Sequence, residues 1–363
     1  MSTVIDLVAS AGLCGRGGAS FPTAVKLRAA VDNNASLVIN ACDGEWGARK
    51  DAWVIAHHLR DVVDAAHDIV GDRFQVAAHR DSPTLELIRR AGLPALEVPQ
   101  RYVSSEESAL AALAAGHPAR PVMRFAPITS GARSSTGRPI PPTLVLNAET
   151  LWRITQIVHR GPRWFRSIGT SAEPGPRLVA LGGVVARPGI YETAAGVGLH
   201  DLLAMAGALS TSSEYLWFNG IAGGFLPTRL ATRTQWSAQG LAPHRLRIGP
   251  AIITALDART DPWRLVGDTV AYAAGESARQ CGPCTFGLPS LEEDLNRLLS
   301  APTPDQRYRL GQRLSQLRRR GACRHPDGVV EFVESALRTF GDRLPPSSSN
   351  TLPSAIQTEL TEA

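Results

Sequence analysis

The segment LVINACDGEWGARKDAWVIAHHLRDVVDAAHDIVGDRFQVAAH (37–79) decides the fold class. Its opening, LVINACDGEW (37–46), passes from a buried apolar run into a polar loop. DAWVIAHHLRDVVDAAHDIV (51–70) then carries apolar residues at helical spacing, and FQVAAH (74–79) is again a strand. Strand, helix and strand in that order imply an α/β layer. Asn40, Asp43 and Glu45 crowd the C-terminal end of the first strand, where open α/β sheets bind ligands. An ordinary polar turn, favoured by Asp43-Gly44, is the other reading of the same residues.

Upstream lies GRGGASFPTAVK (15–26). Gly15, Gly17 and Gly18 permit positive φ and let backbone N–H groups approach a ligand; such a loop running into a helix makes an anion site, with Arg16 and Lys26 as candidate cations. The loop is neither a P-loop nor a G-x-G-x-x-G fingerprint, and a flexible N-terminal loop has the same composition. Downstream, YVSSEESALAALAAG (102–116) opens a helix with Ser104 and Glu107 at capping-box spacing, and Ser105 with Ser108 less well. Glu106 and Glu107 read either as ligand-binding carboxylates or as charges favoured at a helix N-terminus. PVMRFAPITSGARSSTGRPIPP (121–142) is a long Pro/Gly/Ser loop, a kind that is usually functional or disordered.

A break at SAEPGP (171–176) begins a different unit. RLVALGGVV (177–185), IYET (190–193), YLWFNGIAGGFLP (215–227) and IGPAIITALD (248–257) read as strands, and GLHDLLAMAGA (198–208) as a helix. From about residue 263 the pattern is helical. SLEEDLNRLLS (290–300) opens on a capping box, Ser290 to Glu293. TPDQRYRLGQRLSQLRRRG (303–321) has an early Pro and ends at Gly321, and GVVEFVESALRTFG (328–341) follows, so a small bundle is expected. The expected division is 1–170, an α/β domain; 175–260, a small β-plus-helix module; 263–341, helical; and 342–363, a polar, disordered tail.

The whole chain bounds these readings. Its 363 residues exceed what one core normally serves, and 44% hydrophobic with 20% charged residues excludes a wholly disordered protein. No apolar run is long enough to span a bilayer. The N-terminus lacks a basic region and Asp6 interrupts its apolar stretch, which argues against a secretory signal and for the cytoplasm. The net charge of +5 suits an acidic partner. Arg318, Arg319 and Arg320 read as a solvated helix C-terminus; aromatic residues are not interleaved with the arginines, which argues against nucleic acid.

Five cysteines at irregular spacing are metal ligands or free thiols rather than a disulfide scaffold. Cys281 and Cys284 stand at C-x-x-C spacing in ESARQCGPCTFG (276–287), and Cys323 follows about 40 residues on. The thioredoxin-like context of a redox pair is lacking. Structural zinc and iron–sulfur clusters each take four ligands, and three thiols are in view. His325 and Asp327 lie near Cys323, although nothing in the spacing demands them.

Taken in order, these motifs resemble the NADH-oxidising flavoprotein subunit of respiratory complex I and its relatives in hydrogenases and formate dehydrogenases, over about residues 10 to 341. GRGGASFPTAVK is similar to the family's FMN-wrapping GRGGAGFPTG-x-K, NACDGEWGARKD (40–51) to NADEGEPG-x-x-KD, YVSSEESAL (102–110) to Y-x-x-GEETAL, PPTLVLNAETL (141–151) to RPTVVNNVETL, and ESARQCGPCTFG to ESCGxCTPCREG. The resemblance implies a Rossmann-like FMN-binding domain, a β-grasp (soluble-ligand-binding) domain and a helical bundle carrying iron–sulfur cysteines. It implies that Gly15, Arg16, Gly17, Gly18 and Lys26 hold the FMN phosphate and ribityl chain. Asn40, Asp43 and Asn147 would bond flavin polar groups. Glu106 belongs to the same cofactor site, Glu45 and Glu107 would contact NAD(P)H, and Phe21 would offer a face to its adenine. Cys281, Cys284 and Cys323 would ligate a 4Fe-4S or 3Fe-4S cluster. No acid–base catalytic residue is implied, since hydride passes directly to the flavin. The expected activity is electron transfer between NAD(P)H and an iron–sulfur carrier such as ferredoxin. The alternatives are a non-catalytic partner-binding subunit and a ferredoxin-linked flavoprotein that does not use NAD(P)H. The chain departs from the family pattern at Ala278, where the first cluster Cys would stand, and at Cys42, Ser105 and Leu146. The stretch leading to Tyr102 is also shorter than in the family. A three-iron cluster, a four-iron cluster with a non-Cys ligand and a lost cluster all remain open.

Overall fold

The computed structural model describes residues 2–123, 125–207 and 213–344. The predicted strand–helix–strand unit forms as strand β1 (Ser36–Asn40), helix α3 (Lys50–Val70) and strand β2 (Phe74–His79). Before it come α1 (Ser2–Ala11) and α2 (Thr23–Asp32), and after it α4 (Pro83–Arg90), β3 (Ala95–Val98), α5 (Glu107–Ala114), β4 (Thr143–Asn147) and α6 (Ala148–Arg166). The four strands are parallel in the order β3-β2-β1-β4. Both faces of such a sheet are covered at its centre, so the central strands are largely apolar, and the Thr143–Asn147 strand is buried at every position. Helix α3 is kinked at His58, whose backbone leaves the helical region.

The second unit is a five-stranded sheet in the order β8-β7-β9-β5-β6, formed by β5 (Pro176–Gly183), β6 (Gly189–Ala194), β7 (Ser213–Phe218), β8 (Gly224–Pro227) and β9 (Ile252–Asp257), with α7 (Leu199–Met205) against it. β5 and β9 are parallel and the other pairs antiparallel. The stretch read as one strand, 215–227, is a hairpin, because Asn219 takes a left-handed conformation and a 3-10 turn reverses the chain. The helix expected over 198–208 stops at Met205, and Ala208 lies outside the described residues.

The third unit comprises α8 (Pro262–Gly275), a π-helical turn (Pro283–Gly287), α9 (Leu288–Ser300), α10 (Pro304–Leu317) and α11 (His325–Phe340). Its core takes in Trp217, Ile221 and Phe225 from the second unit. Three end signals fall elsewhere than the sequence places them. Ser290 does not cap α9, because the π turn already carries the chain into that helix. α10 ends at Leu317, not Gly321, because Arg318 turns to extended backbone and Arg319 then takes a left-handed φ of 56°. Arg318 pairs with Glu334 on α11 rather than standing in solvent alone. Of the expected tail, Asp342 and Arg343 sit in a 3-10 turn, where Arg343 pairs with Glu214 at 2.8 Å; 345–363 lie outside the described residues. Among the described residues no helix is long and apolar enough to cross a membrane.

Candidate functional site

The C-terminal edge of the parallel sheet gathers most of the predicted site residues. Asn40 and Asn147 end β1 and β4 and are register partners. The strand order reverses between these two strands, which is where open α/β sheets form a ligand crevice. Asn147 is buried; its Nδ2 donates to Asp51 Oδ1 at 2.8 Å and its Oδ1 accepts from Thr150 Oγ1 at 2.5 Å. Thr150 Oγ1 in turn accepts from the Arg16 N–H at 2.9 Å, which ties the glycine loop to the first turn of α6. Asn40 Nδ2 donates to Ser105 O at 3.1 Å, and its Oδ1 accepts from the Cys42 N–H.

The loop lies across this strand end. A Cβ on Gly17 would meet Asn147 at 3.7 Å, while Gly18, at φ 112°, would meet the Gly249 backbone at 3.4 Å. Gly15 closes the loop by donating to Phe21 O at 2.9 Å, leaving the Phe21 ring 47% exposed. Among the described residues, the N–H groups of Gly17, Gly18, Ala19 and Ser20 donate to no protein acceptor. Unclaimed backbone donors on a turn leading into a helix are the chemistry that holds a phosphate. In this respect the residues present fit FMN, whose phosphate ends a flexible ribityl chain.

The charged candidates divide. Lys26 Nζ stands 2.5 Å from Glu107 Oε1 and 3.4 Å from Val145 O, at the edge of the crevice. Arg16 turns its guanidinium inward, donating to Pro174 O and Pro176 O at 3.0 and 3.1 Å and lying over the Phe165 ring. Burial, then the neighbouring Arg177, lowers its pKa to about 9. That guanidinium holds the first unit to the second, and only the Arg16 backbone belongs to the loop. Asp43 spends both carboxylate oxygens on the N–H groups of Asp51 and Ala52, at 3.2 and 2.7 Å, at the start of α3. Burial, then Asp51, raises it to about 7. Glu106 caps α5, accepting from the Ser108 and Ala109 N–H groups at 2.8 and 3.1 Å; the cap expected at Ser104 fails because Tyr102–Ser105 coil into a 3-10 turn. Glu45 accepts from Tyr102 Oη at 2.7 Å and from the N–H groups of Ile221 and Trp46 at 2.8 and 3.1 Å, and burial raises it to about 7. The Ser105 hydroxyl donates to Tyr102 O and packs against Gly44.

A buried polar network beneath the crevice is missed by the sequence reading. Lys50 Nζ bridges Asp51 at 2.9 Å and Glu149 at 3.0 Å. Glu149 also accepts from the Leu178 N–H at 2.7 Å and lies 3.5 Å from Arg153, which reaches Glu192 at 2.5 Å. Burial disfavours the charged forms of both groups, yet Asp51 and then Glu149 outweigh it for Lys50, which is raised, and Lys50, Arg153 and Arg16 outweigh it for Glu149, which is lowered. A local signal exists: Lys-Asp after the acidic loop, and Glu-Thr just after Asn147.

The three thiols share one neighbourhood, which Glu106 at the start of α5 also reaches. Cys284 is buried and Cys281 and Cys323 are half-buried, all free. Burial, then Cys281, pushes the Cys284 thiol up, and Cys323 adds to it. Burial raises Cys323 to about 11, with the Glu106 carboxylate among the causes. Adjacent residues of one helix start thus face two places: Glu107 pairs with Lys26 beside the glycine loop, and Glu106 lies within electrostatic reach of Cys323. Among the described residues no group of three or more His, Cys, Asp or Glu side chains is placed to hold a single metal ion. A cluster spreads its ligands over several irons, and three neighbouring thiols, Cys284 on the π-helical segment and Cys281 just before it, fit three of its four positions.

Comparison with known proteins gives two family matches. Residues 8–156 match the Nuo51 FMN-binding domain, and residues 264–345 match the NADH-ubiquinone oxidoreductase-F iron–sulfur binding region. The F subunit of the NADH-quinone oxidoreductase of Escherichia coli (strain K12) is 26% identical over 375 residues, covering 93% of this chain and 82% of that protein. The alpha subunit of the NAD-reducing hydrogenase HoxS of Cupriavidus necator is 27% identical over 328 residues, covering 82% of this chain and 52% of that protein. The crystal structure of an NAD+-reducing nickel–iron hydrogenase in its hydrogen-reduced state superposes with a TM-score of 0.82 at 28% identity, over 94% of this chain and 62% of that one. The chain therefore spans less than two thirds of the hydrogenase chain it superposes on.

Proposed function

We propose, from the premise that the chain belongs to the family of the FMN- and iron–sulfur-binding F subunit of NADH-quinone oxidoreductases and its hydrogenase counterpart, that it is a flavoprotein which takes electrons from NAD(P)H and passes them to an iron–sulfur partner. The observation that carries the proposal is the crevice itself: four unclaimed backbone N–H groups over the paired strand ends Asn40 and Asn147, one helix start away from three converging thiols. Gly17 to Ser20 hold the phosphate, Lys26 supplies positive charge beside it, and the Phe21 face is open to an adenine. FMN, when bound, accepts two electrons as hydride and releases them one at a time. Cys281, Cys284 and Cys323 would hold an iron–sulfur cluster, which would supply a one-electron acceptor. The partner is an iron–sulfur protein, a ferredoxin or ferredoxin-like subunit, and the net charge of +5 favours an acidic one. The relatives' own names, NADH-quinone oxidoreductase and NAD-reducing hydrogenase, support the nucleotide as donor.

One observation favours a second reading, a ferredoxin-linked flavoprotein that makes no use of NAD(P)H. Both oxygens of Glu45, one of the two residues assigned to the nucleotide, are already bonded to Tyr102, Trp46 and Ile221. An anaerobic titration separates the two. In the first reading NADH bleaches the flavin bands and the iron–sulfur shoulder together. In the second, reduced ferredoxin does so and neither NADH nor NADPH does. A chain that takes up no flavin under any condition sinks both. Lys26→Ala is expected to weaken FMN binding about ten- to a hundredfold, the worth of one hydrogen bond to a charged group, as read by fluorescence titration. Unchanged affinity would remove Lys26 from the site.

A further inference from the structure

The geometry points to His325 as the fourth protein ligand of the cluster, in place of the thiol the chain lacks at Ala278. The inference rests on the cluster reading above. His325 opens α11, two residues after Cys323, and its backbone N–H lies close enough to the Cys323 thiol to favour its ionised form. The side chain is buried, at 7% exposure. Its Nε2 lies 2.8 Å from the carbonyl oxygen of Ala273. A carbonyl only accepts, so Nε2 carries the proton and the neutral ring keeps its lone pair on Nδ1. That Nδ1 is buried and has no hydrogen-bond partner among the described residues. Buried polar atoms are normally paired, and each exception calls for an explanation such as a missing ion. Metal-ligating histidines show this same arrangement, one ring nitrogen on the metal and the other donating to a carbonyl that fixes the tautomer.

The neighbouring donors are spent or poor. Asp327 accepts from the Arg319 N–H at 2.7 Å, and Glu106 caps α5. Ser277 is buried with its hydroxyl 3.5 Å from Cys284 O, and it would have to lose a proton to bind iron well. Ala278 offers no donor. Tyr102, whose ring lies 5.1 Å from the His325 ring, is itself within electrostatic reach of Cys323, so the imidazole and the thiol share one neighbourhood. Ligation by a neutral imidazole releases no proton and leaves the cluster one negative charge poorer than four thiolates would. Histidine for cysteine raises a cluster's potential, as in Rieske centres.

The test is pulsed electron paramagnetic resonance of the anaerobically reconstituted, reduced protein, prepared with natural and with 15N-labelled histidine. The expected result is a cluster of about four irons per chain that carries a histidine-nitrogen coupling. In His325→Leu that coupling disappears and the iron content falls to about three. In Ala278→Cys/His325→Leu a four-iron cluster returns, without the coupling and at a lower reduction potential. A wild-type four-iron cluster without nitrogen coupling, a wild-type three-iron cluster, or a coupling that survives in His325→Leu would each overturn the assignment. A cluster that forms only in the Ala278→Cys/His325→Leu protein also overturns it while the cluster reading stands. No cluster in either protein overturns the cluster reading itself. The wild-type coupling needs no variant, so a misfolded His325→Leu does not blunt the test.

Discussion

Glu45 is the residue where stability and the proposed nucleotide site are coupled most directly. Its carboxyl is enclosed by Tyr102, Trp46 and Ile221, and burial raises it from 4.5 to about 7. A group raised in the folded state favours folding while protonated. Its contribution is complete below about pH 4.5, the unfolded value, and is lost as pH rises through about 7. Glu45→Gln keeps an oxygen for the backbone donors and cannot ionise. The melting temperature of the wild type should therefore fall relative to Glu45→Gln between about pH 4.5 and 7, and run parallel outside that window. Parallel curves throughout would mean that water reaches the carboxylate and that the enclosure is open in solution. An open Glu45 would free the residue for a nucleotide, so the same curve bears on which electron donor the protein uses.

Among the elements, α5 shows best what periodicity conveys and what it hides. The helix is legible from its apolar spacing, but the S-x-x-E signature points to Ser104 as its cap. The chain instead coils into a 3-10 turn over Tyr102–Ser105, and Glu106 takes the cap with two backbone N–H groups. Glu106→Ala should then cost about 0.5–2 kcal/mol in the cofactor-free protein, with Ser104→Ala costing less, as measured by urea denaturation. The reverse order would restore the cap to Ser104. The glycine loop, the strand ends and the thiols are legible because each is a local string with its own chemistry. The role of Arg16 is not, because a cation in a glycine loop looks like a phosphate ligand until its acceptors, Pro174 and Pro176, are known. Likewise Asp51 and Asn147 are 96 positions apart, and no local spacing announces that they meet. The sequence shows His325 beside Cys323; its tautomer and its unpaired Nδ1 exist only in the fold.

At the scale of the whole molecule, three units that look separate along the chain are joined by buried contacts. Glu149 takes the Leu178 N–H, and Arg16 takes two carbonyls from the segment entering β5, which fastens the parallel sheet to the second unit. The second unit in turn lends Trp217, Ile221 and Phe225 to the helical core, where Phe225 lies 5.3 Å from Phe332 and 4.8 Å from Phe340. Ser335 Oγ accepts the Phe225 N–H at 2.9 Å, so the backbone is bound there as well. Units that share a core cannot shed it separately, and calorimetry should show one cooperative transition rather than three. Phe225→Ala removes a ring from that shared core and should cost about 3–5 kcal/mol, lowering the whole transition and not splitting it. A split, with the helical unit melting first and the parallel sheet keeping its stability, would show that the thiols and the glycine loop are held by independent bodies. The short route between them, through the first turn of α5, would then lack the rigid frame that electron transfer across it requires.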